Sequence, residues 1–139
     1  MNITELYDKN RIVLDTNVII SASLSRNGAS AKIYRMFLNG VLTLVYCNKI
    51  ITEYEDVLYR PHLKIPSDDS DIVMEAIRLH GEEIWPLPSD HAMIDEDDRI
   101  FYDTAKSSGA YLVTGNKKHF PNEPFILTPT AFLSLQQVN

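Results

Sequence analysis

The sequence predicts an α/β fold with a mainly parallel sheet and helices on both faces. Three observations lead there. Short apolar runs alternate with stretches of helical period nearly throughout the chain. The first run, Ile12-Val13-Leu14, has the pattern of a strand buried on both faces. It stops abruptly at three polar residues, Asp15-Thr16-Asn17, before Val18-Ile19-Ile20 resume. In open α/β sheets ligands bind just beyond the carboxyl ends of the strands, and Asp15 stands at such an end. An Asp there either caps the following helix or serves as a site acid. If buried, its carboxylate needs hydrogen bonds, a partner or a metal.

The elements follow in order. Residues 1–10 read as a loosely ordered lead-in, and strand one as Ile12 to Leu14. Ser25-Arg26-Asn27-Gly28 signals a turn, after which Ser30 is placed to cap a helix carrying Ala31, Tyr34, Phe37 and Leu38. Asn39-Gly40 ends it. Leu42 to Cys47 reads as strand two. Asn48 then caps a helix that runs until Pro61. His62 to Pro66 is a break, and Ser67 opens an acidic helix with Ile72, Val73, Ala76, Ile77 and His80. Glu83 to Leu87 is a third strand, held to an edge by Pro86 and Pro88. Ser89 to Met93 is a loop. A helix begins near Asp95 and ends at Ser108-Gly109. Tyr111 to Val113 and Phe125 to Leu127 are the fourth and fifth strands. Thr128-Pro129 opens a final helix with a cap and Pro in the first position.

Composition narrows the function. The 139 residues suit one domain, 45% of them are apolar, and a single cysteine, Cys47, excludes an internal disulfide. That cysteine usage fits a reducing cytoplasm. The N-terminus is polar and unlike a signal peptide. Apolar runs such as Leu44 to Cys47 fall far short of the ~20 residues of a membrane helix. A net charge of −6 argues against a protein coated in basic charge for nucleic acid, while leaving room for a local basic patch.

The acids supply the functional signal. Asp15 follows strand one, and Glu53 lies in the helix after strand two. Asp95 and Asp98 open the helix after strand three, and Asn116 follows strand four. All fall on one edge of a parallel sheet. At ~100° per residue, Ile50, Tyr54, Val57 and Leu58 form an apolar stripe with Glu53 at its edge, while Glu55 and Asp56 turn away. Phe101 and Ala105 mark the inner face of the later helix, with Asp98 one turn before and Arg99 outward. Asp95 also suits a helix cap. Gathered carboxylates repel one another, and a hard divalent cation relieves them. Oxygen-only donors select Mg²⁺ or Mn²⁺ over zinc. His62, His80, His91 and His119 are scattered and show no zinc spacing.

In this order and spacing, four segments resemble the PIN-domain family over roughly residues 11–130. They are Val13-Leu14-Asp15-Thr16-Asn17-Val18, Ile51-Thr52-Glu53-Tyr54, Asp95-Glu96-Asp97-Asp98-Arg99-Ile100-Phe101 and Tyr111-Leu112-Val113-Thr114-Gly115-Asn116. The chain is most similar to the branch of prokaryotic toxin–antitoxin toxins. That resemblance implies an α/β/α sandwich and a Mg²⁺- or Mn²⁺-dependent ribonuclease. Asp15, Glu53 and Asp98 would be its three acids, with Asp95 close by and Thr16, Asn17 and Thr114 as supporting polar groups. It further implies an RNA substrate, an antitoxin partner and a homodimer or higher oligomer. Asn116 stands where many members carry a fourth Asp, which weakens the case for a second ion.

The expectation is one cation site bounded by Asp15, Glu53 and Asp98. Arg26, Lys32, Lys49 and the Lys117-Lys118-His119 cluster are the candidate phosphate contacts. No Ser-His or Cys-His pair points to covalent catalysis. A phosphatase or phosphoacceptor reading forces Asp15, Thr114 and Lys117 into roles they fit poorly. The haloacid-dehalogenase-like pattern needs a second Asp where Asn17 stands. A binding module that has lost turnover is the non-enzyme alternative, favoured by Asn116.

Overall fold

A computed structural model describes residues 6–137. Its centre is one five-stranded sheet in which every pairing is parallel. The strands are β1 (Asp8–Leu14), β2 (Thr43–Tyr46), β3 (Glu82–Glu83), β4 (Ala110–Val113) and β5 (Ile126–Leu127). Six α-helices connect them among the described residues: α1 (Thr16–Leu24), α2 (Ala29–Leu38), α3 (Asn48–Leu58), α4 (Ser67–His80), α5 (Arg99–Ser108) and α6 (Pro129–Gln136). The expected α/β/α sandwich is the observed architecture.

The middle strands are apolar because both their faces are covered. Ile12, Val13, Leu112 and Val113 are fully buried. Each such side chain removed from water stabilises the fold by about 1.5–3 kcal/mol. The strand order is β3-β2-β1-β4-β5. The chain therefore builds outward from β1 on one side, then returns to β1's other side to start β4. That reversal opens a crevice at the carboxyl ends of β1 and β4, the usual place for a ligand site in an open α/β sheet.

Several boundaries differ from the sequence reading for local reasons. β1 starts at Asp8, so residues 8–10 of the expected lead-in are strand, and the Asp8 amide donates to the Gly109 carbonyl. Residues 1–5 of that lead-in lie outside the described residues. Gly28, at φ 98°, occupies the cap of α2, and Ser30 falls inside its first turn. Glycine reaches that φ at little cost, which decides the matter. Cys47 and not Asn48 is the cap of α3, and the helix ends at Leu58, ahead of Pro61. Ile72 is exposed, and α4 faces inward with Ser70, Val73, Met74 and Ile77. β3 has only two residues; Pro86 and Pro88 follow it at the sheet edge, as expected. Thr128 caps α6 by accepting from the Ala131 amide.

α5 is more deeply enclosed than its sequence pattern suggests. Five consecutive residues, Phe101 to Ala105, are buried. One side packs on β1, β2 and β4. The other is covered by the segment after β3, whose Ser89 binds the buried Asp103 through both its amide and its hydroxyl. Arg99 clamps the same segment, donating to the Ser89 and His91 carbonyls and to Glu96. The arginine expected to point outward is thus a brace for the loop. Gly109, at φ 73°, ends the helix in the left-handed conformation that favours glycine.

Candidate functional site

Asp15 follows β1 directly and occupies the cap position of α1, yet its side chain makes no cap hydrogen bond. Its backbone amide donates to the Val113 carbonyl at 3.0 Å, tying it to β4. Its Oδ2 accepts from the Thr114 hydroxyl at 2.7 Å. Thr114 is fully buried and Asp15 nearly so. The bond closes the crevice between the two strands from residues 99 positions apart. Burial pushes the Asp15 carboxyl up, while Thr114, the Thr16 and Asn17 amides and the charge of His119 oppose that rise. The cap reading of this aspartate holds for its backbone and fails for its carboxylate.

The other acids arrive from separate elements. Glu53 sits half-buried on α3, and its Oε2 accepts from the Thr16 hydroxyl. The neighbouring Tyr54 is buried and donates its hydroxyl to the Leu14 carbonyl, which fixes α3 against the end of β1. Asp98 ends the 3₁₀ turn Glu96–Asp98 that precedes α5. Its carboxyl is pushed up to about 6, first by burial, then by the negative charges of Asp15 and Asp95, with Glu53 adding to them. The shift registers burial first and, after it, repulsion among acids brought together by the fold. Asp95 caps that turn by accepting from the Asp97 amide at 3.0 Å, the bland role its sequence position allowed.

His119, expected only as part of a phosphate-binding cluster, instead faces an acid. It belongs to the 3₁₀ turn Lys117–His119 after β4, and its Nδ1 lies 3.9 Å from Asp98 Oδ2. The signal was its place two residues after Lys117, where one turn brings the chain back over the crevice. Asn116 caps that turn by position but not through its side chain. Its amide nitrogen lies 3.3 Å from His119 Nδ1, and its backbone amide donates to Thr114 Oγ1 at 3.0 Å. Thr114 therefore joins Asp15 to Asn116. The Asn17 side chain is exposed.

The cations expected to meet phosphate are dispersed. Lys117 and Lys118 are exposed on the turn beside the acids. Lys49 lines a cleft of about 570 Å³ together with Glu53, Pro86, Pro88, Asp97 and Ile100. Arg26 instead lines a separate hollow with Tyr34 and Asp69. Lys32 is exposed on α2.

With this geometry in view, the sequence profile of the PIN domain matches residues 11–118, a span that contains Asp15, Glu53, Asp98, Thr114 and Asn116. The chain belongs to the PIN domain family. Members of this family are generally metal-dependent nucleases, so this PIN domain has a nuclease fold. An uncharacterized protein of Methanocaldococcus jannaschii is 27% identical over 112 residues, covering 78% of this chain and 72% of that protein. No solved structure matches the chain.

The donor set of this PIN domain suits a hard divalent cation, because every candidate ligand offers oxygen and the acids already repel one another. Among the described residues, however, no three His, Cys, Asp or Glu side chains converge closely enough to hold an ion. Glu53 is engaged by Thr16 and Asp98 faces His119. The expected ready-made cation site is therefore not assembled in this conformation: the carboxylates are coupled in charge without being gathered into a cage.

Proposed function

We propose that this PIN domain hydrolyses RNA phosphodiester bonds as a Mg²⁺- or Mn²⁺-dependent ribonuclease. The observation that carries the reading is Asp15, buried and fixed by Thr114 at the crevice, with Asp98 raised to about 6 by burial and then by its acid neighbours. Asp15, Asp98 and Glu53 would hold the ion, with Asp95 near them and Asn116 at the margin. When bound, the ion supplies a Lewis acid that lowers the pKa of water and neutralises charge on the phosphoryl group.

The chain's own side chains do the rest. Thr114 donates to one Asp15 oxygen, Oδ2, which opposes the rise that burial imposes on the carboxyl and fixes it in direction. Thr16 donates to Glu53 Oε2 and fixes that side chain in direction. His119 opposes the rise of the Asp98 carboxyl and favours its charged form. Lys117 and Lys118 meet backbone phosphates beside the acids, with Lys49 on the other flank and Arg26 and Lys32 further round the surface.

The likeness to toxins of toxin–antitoxin pairs supports a protein antitoxin as partner, and the buried free thiol of Cys47 supports a reducing cytoplasm. No described helix is long and apolar enough to cross a membrane.

The deciding experiment incubates the purified chain with single-stranded RNA across a Mg²⁺ and Mn²⁺ titration. Cleavage should need the metal and should disappear in Asp15→Asn. Asn116 favours a second reading, an RNA-binding module without turnover. Metal-independent binding with no cleavage by the parent would select it.

A further inference from the structure

The cleft beside Glu53 has features the phosphodiester chemistry leaves unused. Its volume of about 570 Å³ is that of a small-ligand pocket. Pro86, Pro88 and Ile100 give it apolar walls. The wall carrying the two prolines is rigid, because Asp103 holds Ser89 and Arg99 holds the Ser89 and His91 carbonyls. A surface braced in advance loses little entropy when it binds. Trp85 precedes Pro86 in the chain and is 83% exposed. An exposed indole one residue before a cleft-lining proline offers a stacking face for an unpaired base.

The charges in the cleft say which part of a nucleotide fits. Glu96 is neutralised by Arg99, and Asp103 is occupied by Ser89. Glu53 commits only Oε2, to Thr16. The Asp97 carboxylate lines the cleft with no hydrogen-bond or ion-pair partner among the described residues. The surplus groups are thus acceptors, which repel phosphate and attract N–H donors. Carboxylates accept from the exocyclic amine of cytosine; the matching position of uracil is a carbonyl and would be repelled.

We propose that this cleft receives one unpaired base of the RNA strand and prefers a base bearing an exocyclic amine to uracil. Pro86, Pro88 and Ile100 contact the face of the base, Asp97 accepts from its amine, and Lys49 meets the adjoining phosphate. This subsite rests on the ribonuclease reading, since it positions a strand whose backbone passes Asp15 and Asp98.

The test measures binding of the full chain to oligocytidylate and oligouridylate of equal length, by fluorescence anisotropy with a chelator present so that nothing is cut. The parent should bind oligocytidylate at least about fivefold more tightly, the lower end of a base-specific contact. Asp97→Asn should shrink that ratio, because an amide can donate to the uracil carbonyl. Trp85→Ala should weaken both oligomers. Equal binding of the two by the parent overturns the subsite while leaving the ribonuclease reading to its own cleavage assay. A base preference untouched by Asp97→Asn also overturns it. RNA affinity untouched by both variants assigns the cleft to a protein partner instead. Absence of all RNA binding and cleavage removes the subsite and the ribonuclease reading together.

Discussion

The Thr114 hydroxyl donates to Asp15 Oδ2 at 2.7 Å across the crevice between β1 and β4. The same hydroxyl oxygen accepts from the Asn116 amide at 3.0 Å. Thr114 therefore uses both its donor and an acceptor lone pair in a buried position, and neither role can be taken over by water. It connects the first acid to the turn that carries Lys117, Lys118 and His119.

Replacing Thr114 by Val keeps the shape and removes both bonds. Asp15 is then buried without its strongest side-chain partner. Thr114→Val should destabilise the fold by about 1–3 kcal/mol in denaturant unfolding and cut RNA cleavage severely. Thr114→Ser should retain most of both. Equal stability of the Val variant and the parent would show that the bond contributes nothing net.

Asp98 makes stability depend on pH. Its carboxyl rises from 3.8 to about 6 on folding. Between those values the native state holds the extra proton, so stability falls as pH rises through that window. Asp15 is shifted in the same direction and adds to the trend. Without metal, the thermal midpoint should climb as the buffer goes from about pH 7 to about pH 5. Asp98→Asn should be more stable than the parent at the upper pH, with a flatter profile, and inactive in cleavage.

His119 favours the charged forms of both Asp15 and Asp98. His119→Gln should let both carboxyls rise further. The acid limb of the pH profile for kcat/KM should then move to higher pH, while far-ultraviolet circular dichroism stays that of the parent. A profile that keeps its limb and merely scales down would reduce His119 to a phosphate contact.

Asn116 brings no charge to the edge of the site. Asn116→Asp should lower the metal concentration for half-maximal cleavage by up to roughly thirtyfold, the worth of one carboxylate charge near 4 Å from a divalent ion in water. The cost is added repulsion with Asp98 in the metal-free state, so the apo protein should melt lower. A titration curve superimposable on the parent's would place Asn116 outside the ion's reach.

The alternation of Ile12 to Leu14, Leu44 to Tyr46 and Leu112 to Val113 with helical stretches was enough to read a parallel α/β sheet. Both features are periodic and local: a strand covered on two faces must be continuously apolar, and a helix must repeat its apolar residues every three or four positions. The cap and proline at Thr128-Pro129 and the stop at Gly109 are local for the same reason. The sheet edge shared by Asp15, Glu53, Asp98 and Asn116 was also legible, because in a parallel sheet every strand's carboxyl end falls on one side. Only the tertiary structure decided which groups on that edge meet. The order β3-β2-β1-β4-β5 sets Thr114 against Asp15 across 99 residues. A turn after β4 places His119 opposite Asp98, and the braced segment after β3 encloses α5 and makes the cleft beside Glu53. These contacts join residues with no periodic relation in the chain. They arise from which strand pairs with which and which loop packs on which helix, a choice made by burial of the whole core.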